Sequence, residues 1–419
     1  MARSALLVSA TLAAIALWIP ATASAAPGLQ VGITDDAWLL YGPGTAEDRA
    51  TQLHDLGAEV VRVTLDWSRV EQVEGTLDWK AQDAALDALR AQGIAPILVL
   101  WGTPGWANGG RGPNVPPRSA SDFAAFAQEA ATHYSWVRRW VVWNEPNQRR
   151  WLVPPSPALY VTRLLNPAEQ AIKDVIPSAL VAGGATAPRG ASGGTSPVAF
   201  IRGMGRAGAH LDAYAHHPHP LSPSESPTSG GCDHCATISM ATLPRLLTEV
   251  RKAFGPRTRI WLTELGYQTN PPDRILGVRW GTQARYVAEA QRRAFLAPRV
   301  DIIVQYLLRD EQSTAAWQSG LETASGRPKP ALTSFTLPLV QVRRRGAATT
   351  VWGQVRPGDG DRAYELQRLV GGQWKRVSPS GAQTTARGFF TRTIRAVHGD
   401  RLRLVDPASG LASPTLVVV

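Results

Sequence analysis

The stretch DAALDALRAQGIAPILVLWG, residues 83–102, contains the unit from which most of the chain is built. Its first half has the apolar spacing of an amphipathic helix and ends at Gly93, a residue that favours helix termination. Its second half is almost entirely apolar, as expected of a strand buried on both faces. A helix followed directly by a buried strand predicts a parallel sheet covered by helices.

The same unit repeats from residue 29 to about residue 338. Helices are predicted over 45–57, with Thr45 as N-cap, and over 83–92 and 119–134. Buried strands are predicted over 29–34, 58–67, 94–102, 137–146, 179–186, 211–220, 258–267 and 300–308. Eight such strands in about 300 residues predict an α/β fold, a (β/α)8 TIM barrel. A doubly wound open sheet is the alternative, but no glycine-rich phosphate loop follows the first strand.

The sequence after the barrel has a different pattern. Residues 326–335 close a barrel domain predicted over 26–338, and short strands separated by Gly, Pro and Asp follow. They predict a small all-β sandwich of the immunoglobulin or fibronectin type III kind over 340–419. This segment holds 13 Arg and Lys against 5 Asp and Glu, so it carries +8 of the chain's formal charge of +11. It could bind an anionic cell-wall polymer, or it could simply present a solvated basic face; no nucleic-acid motif accompanies it.

The first 25 residues have the organisation of a secretory signal peptide. Arg3 precedes an apolar run over 5–19, and the small residues 23–25 form a cleavage site. A membrane anchor is the alternative, but the run is shorter than the roughly 20 residues that a span needs. We therefore predict a protein that is secreted, extracellular or associated with the cell wall, without a membrane span.

The chain has two cysteines, Cys232 and Cys235, in GGCDHC. In an oxidising compartment the simplest expectation is a local disulfide. A zinc site would need about four ligands, and only His234, Asp233 and other nearby histidines could complete it, so no metal is predicted.

Two glutamates stand at predicted strand ends. Glu145 follows the apolar run 141–143, and Glu264 comes shortly after the apolar run 260–262. In an eight-stranded barrel the fourth and seventh strands face each other across the mouth, where functional groups gather. Hydrolysis of a glycosidic bond needs two carboxyl groups on either side of the bond. The pair therefore predicts a glycoside hydrolase that needs no cofactor.

WNEPN (143–147) and WLTELGY (261–267) resemble the clan A glycoside hydrolases, and the resemblance covers about residues 29–338. Bacterial members of families 39 and 5 are similar in further segments: VLWGTPGWA (99–107), HPHP (217–220), LLRDE (307–311) and GRPKPA (326–331). The resemblance implies a retaining enzyme with Glu145 as the general acid/base and Glu264 as the nucleophile. It also implies that Asn144 binds the sugar 2-hydroxyl and that Arg62 keeps Glu264 ionised.

One motif departs from the clan pattern. Where much of the clan has His-x-Tyr after the sixth strand, this chain has His217 and His219 on either side of a proline. The hydrogen-bond partner of the nucleophile therefore stays open among His219, Tyr267 and Tyr306.

The remaining expectations concern the surroundings of the cleft. Trp101 and Trp317 are predicted to stack on sugar rings, and the loop 221–239 is predicted to wall the cleft. The protein is predicted to be a monomer that binds carbohydrate. Two alternatives to a glycoside hydrolase are a degenerate barrel that binds glycan without cleaving it and a cell-surface adhesion protein. The identity of the sugar cannot be read from the sequence, because loops set it on this scaffold.

Overall fold

The computed structural model describes residues 28–232 and 234–419, so the predicted signal peptide lies outside the described residues. Eight parallel strands pair in chain order and β8 closes on β1, which gives a closed barrel. The strands are β1 Gln30–Thr34, β2 Val60–Asp66, β3 Ala95–Trp101, β4 Arg139–Val142, β5 Leu180–Thr186, β6 Ala213–His216, β7 Arg259–Leu265 and β8 Val300–Tyr306. The TIM-barrel fold and all eight predicted strands are confirmed.

Helices cover the outside of the barrel. They are α1 Asp36–Tyr41, α2 Ala46–Asp55, α3 Trp67–Val70, α4 Lys80–Ala91, α5 Gly105–Asn108, α6 Ala120–His133, α7 Pro157–Tyr160, α8 Asn166–Val175, α9 Pro197–Arg206, α10 Leu243–Phe254, α11 Trp280–Leu296 and α12 Pro330–Thr336. A π-helical segment spans Val161–Leu165 and a 3-10 turn spans Met240–Thr242. Thr45 caps α2 through a capping box, as predicted. Helix α4 begins three residues before the predicted start, which places Asp83 in its first turn, where the helix dipole favours an acid.

The barrel has two apolar layers. Side chains such as Val99, Val141 and Trp261 fill its interior. A larger layer, which includes Leu98, Phe126 and Ile172, lies between the sheet and the helices. Because the strands are buried on both faces, their sequences are nearly continuous apolar runs. Within the described residues no helix combines the length and apolar character needed to cross a bilayer.

Two antiparallel sheets follow the barrel. One has the order β13-β10-β9 and the other β12-β11-β14-β15. Their strands are β9 Leu339–Arg345, β10 Ala348–Gln354, β11 Glu365–Val370, β12 Gln373–Arg376, β13 Phe389–Arg395, β14 Arg401–Val405 and β15 Leu416–Val417. Val351 and Phe390 of the first sheet share a buried core with Leu366 and Leu404 of the second, which makes a sandwich. Strand β9 ends in three consecutive arginines, so its sequence lacks the apolar alternation that is typical of a sandwich strand.

The sandwich contacts the barrel at the end where the strands begin. Arg387 lies 2.5 Å from Glu59, just before β2, and donates to the carbonyl of Leu29, just before β1. Arg356 is buried and donates to the carbonyl of Phe335 and to Gln291. Burial lowers the pKa of Arg356 to about 9. The carboxyl ends of the strands are thus left open.

Candidate active site

The carboxyl ends of the barrel strands open into one large cleft with a volume of about 1140 Å³. Its lining includes Arg62, Asn144, Glu145, His219 and Glu264, which come from β2 and from the segments around the ends of β4, β6 and β7. Pockets for drug-sized ligands measure about 300–1,000 Å³. The cleft therefore has room for a ligand of more than one ring.

Glu145 and Glu264 lie close together at the floor of this cleft. The Nδ1 atom of His217 is 3.1 Å from Oε1 of Glu145 and 3.5 Å from Oε2 of Glu264. These two carboxylate oxygens are therefore at most about 6.6 Å apart. The Glu145 side chain is 17% exposed and that of Glu264 is 11% exposed, so a ligand in the cleft can reach both.

The backbone at the end of β4 turns Asn144 and Glu145 toward the same cleft. Consecutive side chains of a regular strand point to opposite faces. Here Trp143 has φ of 71° and Glu145 has φ of 39°, both in the left-handed region that non-glycine residues rarely adopt. Such strain, of order 1–3 kcal/mol per residue, is concentrated at functional sites. The strained turn breaks the alternation and buries Trp143 while both polar neighbours line the cleft.

Arg62, on β2, connects the two strand ends. Its Nη1 lies 3.1 Å from Oε1 of Glu264, and its Nη2 donates to Oδ1 of Asn144 at 2.7 Å. Arginine has only donors, so the acceptor must be the amide oxygen of Asn144. The NH₂ group of Asn144 is then available to donate to a ligand in the cleft.

His219 lies beside Glu264, at the position that the motif left open. Its Nδ1 accepts the backbone N–H of Gly266 at 3.2 Å, so the proton of the neutral ring is on Nε2. That nitrogen lies 3.5 Å from Oε2 of Glu264. Of the three candidates, His219 is the side chain placed to donate to this carboxylate.

The surroundings of Glu264 favour its ionised form. Burial alone would raise its pKa, but the charges of His217 and Arg62 and the hydrogen bond from His219 together lower the pKa to about 2. Glu264 is thus a carboxylate across the whole neutral range. Arg62 is a permanent cation and lies in direct contact with Glu264.

His217, His219 and Glu264 also form a group that could ligate a metal, since their ligand atoms lie within 4.8 Å of one another. Two imidazoles and one carboxylate suit a transition metal. However, the guanidinium of Arg62 already neutralises Glu264 at 3.1 Å and opposes a second cation there. The geometry therefore fits an arginine-paired carboxylate better than a metal centre.

The two predicted stacking residues both line the cleft. Trp101 ends β3 and packs against Trp151 with ring centroids 5.3 Å apart. Trp317, in the loop after β8, lies 4.6 Å from the ring of His219 and 5.2 Å from that of Tyr306. They approach from well-separated strands, so each can present an aromatic surface to a different part of a ligand.

Tyr267, predicted as a site residue, does not lie at the cleft. Its side chain is 3% exposed and packs on Tyr286 of α11, with ring centroids 4.8 Å apart. It lines a small internal cavity between β7, β8 and α11 instead. The expectation was wrong because the chain beyond Glu264 turns this side chain outward, toward the helix layer.

The loop 221–239 does not wall the cleft either, since none of its described residues contributes to the lining. The predicted Cys232–Cys235 disulfide is present. Glu225 of this loop is buried and accepts from Ser239 and from the backbone of Leu221, which holds the loop together beside α10.

Two acidic side chains that follow β1 also reach the cleft and were not predicted from the sequence. Asp35 accepts the backbone N–H groups of Trp38 and Arg309, and burial raises its pKa to about 6 despite these bonds. Asp36 accepts the backbone N–H of Thr64, and burial raises its pKa while the charge of Arg62 lowers it. Both acids line the cleft. Their position directly after a strand is the signal that could have identified them.

A buried ion pair supports the loop that carries Trp317. Lys329 lies 2.7 Å from Asp310 and donates to Thr269 at 2.9 Å. The side chain of Lys329 is fully buried and that of Asp310 is 3% exposed. The pair joins the loops after β7 and β8, and it explains the lysine of the GRPKPA segment.

No protein-family model matches the chain, and no curated protein matches it in sequence. Several solved structures share its fold. A family 39 glycoside hydrolase from the gut symbiont Bacteroides cellulosilyticus WH2 superposes with a TM-score of 0.61 at 16% identity, covering 88% of this chain and 81% of that one. The family 39 (GH39) enzyme from Xanthomonas axonopodis pv. citri gives 0.60 at 15% identity, with 94% of each chain covered. A monomeric β-xylosidase from Caulobacter crescentus CB15 gives 0.59 at 17% identity, covering 90% of this chain and 95% of that one. At these identities the likeness is one of fold.

Proposed function

We propose that this protein is a secreted, retaining glycoside hydrolase that cleaves β-linked oligo- or polysaccharides. One observation carries the proposal: two glutamates at most about 6.6 Å apart share one histidine, and among the described residues an arginine contacts Glu264 but not Glu145. Retaining glycosidases hold their carboxyl groups about 5–5.5 Å apart, whereas inverting enzymes need about 6.5–9.5 Å to admit a water molecule. The upper limit set by His217 supports retention. The family 39 hydrolases and the β-xylosidase that share the fold support the reaction class.

The environments of the two acids divide their roles. Glu264, held ionised by Arg62 and His219, attacks the anomeric carbon as the nucleophile. Glu145, which within residues 28–232 and 234–419 has no basic side chain within 4.0 Å other than the shared His217, donates a proton to the leaving oxygen. In the second step Glu145 takes a proton from water, which attacks the same carbon and releases Glu264. The product then has the configuration of the substrate.

Asn144 and the tryptophans would hold the sugar. Because Arg62 occupies the amide oxygen of Asn144, the NH₂ group can donate to the 2-hydroxyl beside the reacting carbon. Such a hydrogen bond contributes to catalysis when it strengthens in the transition state. Trp101 and Trp317 offer apolar faces to the rings on either side. The mechanism needs no cofactor.

The remaining parts of the proposal concern where the enzyme acts. The disulfide supports an oxidising compartment, and the signal-like first 25 residues support export. The protein is proposed to act as a monomer, as the β-xylosidase of the same fold is described. The basic sandwich is proposed to hold it on an anionic cell-wall polymer.

The test is a panel of aryl β-glycosides with wild type, Glu264→Gln, Glu145→Ala and the control Asp273→Asn. Asp273 also lines the cleft, but it binds backbone N–H groups of its own loop. Loss of the nucleophile should lower kcat roughly 10³-fold or more. Glu145→Ala should lose most activity on substrates with poor leaving groups, which need the proton, and the control should stay within several-fold of wild type.

NMR of the first product should show the β-anomer before mutarotation. An α-anomer as first product would overturn retention. A wild type that hydrolyses nothing in a broad panel but binds glycans would favour a non-catalytic glycan-binding or adhesion protein.

A further inference from the structure

A pair of arginines flanks a small residue on the exposed face of the β13-β10-β9 sheet. Ala348 of β10 lies directly opposite Arg345 of β9 and directly opposite Arg395 of β13. Residues directly opposite each other in antiparallel strands project to the same face. Strands lie about 4.7–4.9 Å apart, so a methyl group stands between two guanidinium side chains whose Cα atoms are about 10 Å apart. We call this the arginine trough.

The trough is a shallow depression, widely open to solvent, with a volume of about 510 Å³. Its lining residues are Arg345, Ala347, Ala348, Thr393, Ile394 and Arg395. The next position along the same face continues it, because Thr350 lies opposite both Arg343 and Thr393. The two threonine hydroxyls are 2.8 Å apart. Thr350 is buried and Thr393 is exposed, so the accessible hydroxyl beside the arginines is that of Thr393.

The arginines of the trough, like several other basic residues of the sandwich, have no acidic partner within the described residues. Arg362, Arg368 and Arg376 pair with Asp359, Asp400 and Glu365, respectively. Across residues 28–232 and 234–419, no carboxylate lies within 4.0 Å of Arg343, Arg345 or Arg395. The trough thus presents three arginines whose charge no neighbouring carboxylate offsets.

The barrel covers the other half of the same face. Trp352 and Phe389 pack against Phe295 of α11, with ring centroids 5.5 and 4.6 Å apart. The sandwich reaches the barrel near the start of β1 and β2, through Arg387, at the end opposite Glu145 and Glu264. A polymer in the trough would therefore leave the cleft free.

We propose that the arginine trough binds a carboxylate-bearing polysaccharide. A guanidinium group binds a carboxylate with two parallel hydrogen bonds. The exposed Thr393 hydroxyl beside the arginines can form a hydrogen bond with a hydroxyl group of a sugar chain. The proposal places the attachment of the sandwich to an anionic polymer on the β13-β10-β9 sheet, through arginine–carboxylate pairs. It rests on the anchoring role proposed for the sandwich and does not depend on the hydrolase activity.

The experiment measures binding of the full-length protein to polygalacturonate by affinity electrophoresis, with dextran as the neutral polymer and polyphosphate as the other anion. Arg345→Ala/Arg395→Ala should weaken binding at least about 10-fold. The matched control Lys375→Ala/Arg401→Ala removes the same charge from the other sheet and should change binding less than about twofold. Ala348→Phe fills the trough at constant charge and should weaken binding as the arginine pair does. Wild-type binding should fall as salt rises from 50 to 500 mM, because exposed charges are screened.

Two results would overturn the proposal: equal loss in both double variants, which would mean that net charge alone acts, or unchanged binding by Ala348→Phe. Retention by polyphosphate without retention by polygalacturonate would overturn the choice of carboxylate. Melting temperatures verify that each variant is folded. Hydrolysis of small aryl glycosides should be unchanged in all of them, so failure here is distinguishable from failure of the proposed enzyme function.

Discussion

The sharpest prediction concerns His219, because asparagine and glutamine can separate its two contacts. The amide of asparagine reaches the position of Nδ1 and can still accept from Gly266, but it cannot reach Glu264. The amide of glutamine reaches the position of Nε2 and can donate to Glu264, but it abandons Gly266. The structure places Gly266 N 3.2 Å from Nδ1 and Glu264 Oε2 3.5 Å from Nε2.

A hydrogen bond to an ionised group contributes about 1.5–3 kcal/mol, which corresponds to about 10- to 150-fold in kcat/KM. His219→Asn should lose activity by this factor with a small change in melting temperature, whereas His219→Gln should keep more activity and lose more stability. Loss of the donor also raises the pKa of Glu264, so the acid limb of the kcat/KM profile should move to higher pH. The assay is kcat/KM against pH on the best aryl glycoside. Wild-type kcat/KM and an unmoved acid limb in His219→Asn would refute the assignment.

Three further predictions follow from buried charges. Lys329→Met leaves Asp310 buried without its partner and should destabilise the protein by about 3–5 kcal/mol, measured by denaturant unfolding. Adding Asp310→Leu should recover much of the lost stability. No recovery in the double variant would contradict the role given to this ion pair. Burial lowers the pKa of His216 to about 3, so the unfolded chain takes up a proton below about 6.5 that the folded chain refuses. The free energy of unfolding should therefore fall as pH drops from 6.5 toward 3, by on the order of a few kcal/mol. The melting temperature of His216→Asn should depend less on pH than that of wild type. The same pH dependence in both proteins would exclude this histidine as the cause. Dialysis against EDTA should leave activity unchanged, because Arg62 rather than a metal ion neutralises Glu264. Loss of activity in EDTA and its recovery with zinc would show that a metal ion is required at Glu264.

The barrel was predictable because its strands are buried on both faces and therefore stand out as apolar runs between helices. The two glutamates were predictable for the same reason, since each stands at the end of such a run. Strand β9 is hard to recognise from the sequence, because its last three residues are arginines. Tyr267 was misplaced because side-chain direction beyond a strand end depends on the turn, which the sequence does not specify.

The contacts that tune the site could not be predicted, because they join distant parts of the chain. The partner of His219 is 47 residues away, and Lys329 meets Thr269 across 60 residues. The left-handed backbone conformation of Trp143 and Glu145 could not be predicted from the sequence either, since neither residue type favours it. These features depend on the closed barrel bringing strand ends together.

The most direct test of the central claim is to trap the covalent intermediate. An activated 2-deoxy-2-fluoro glycoside of a hydrolysed sugar should add one sugar mass per chain, and peptide mapping should locate it on Glu264. The adduct should be absent in Glu264→Gln. A label on a different carboxylate, or hydrolysis with inversion and no adduct, would contradict the account.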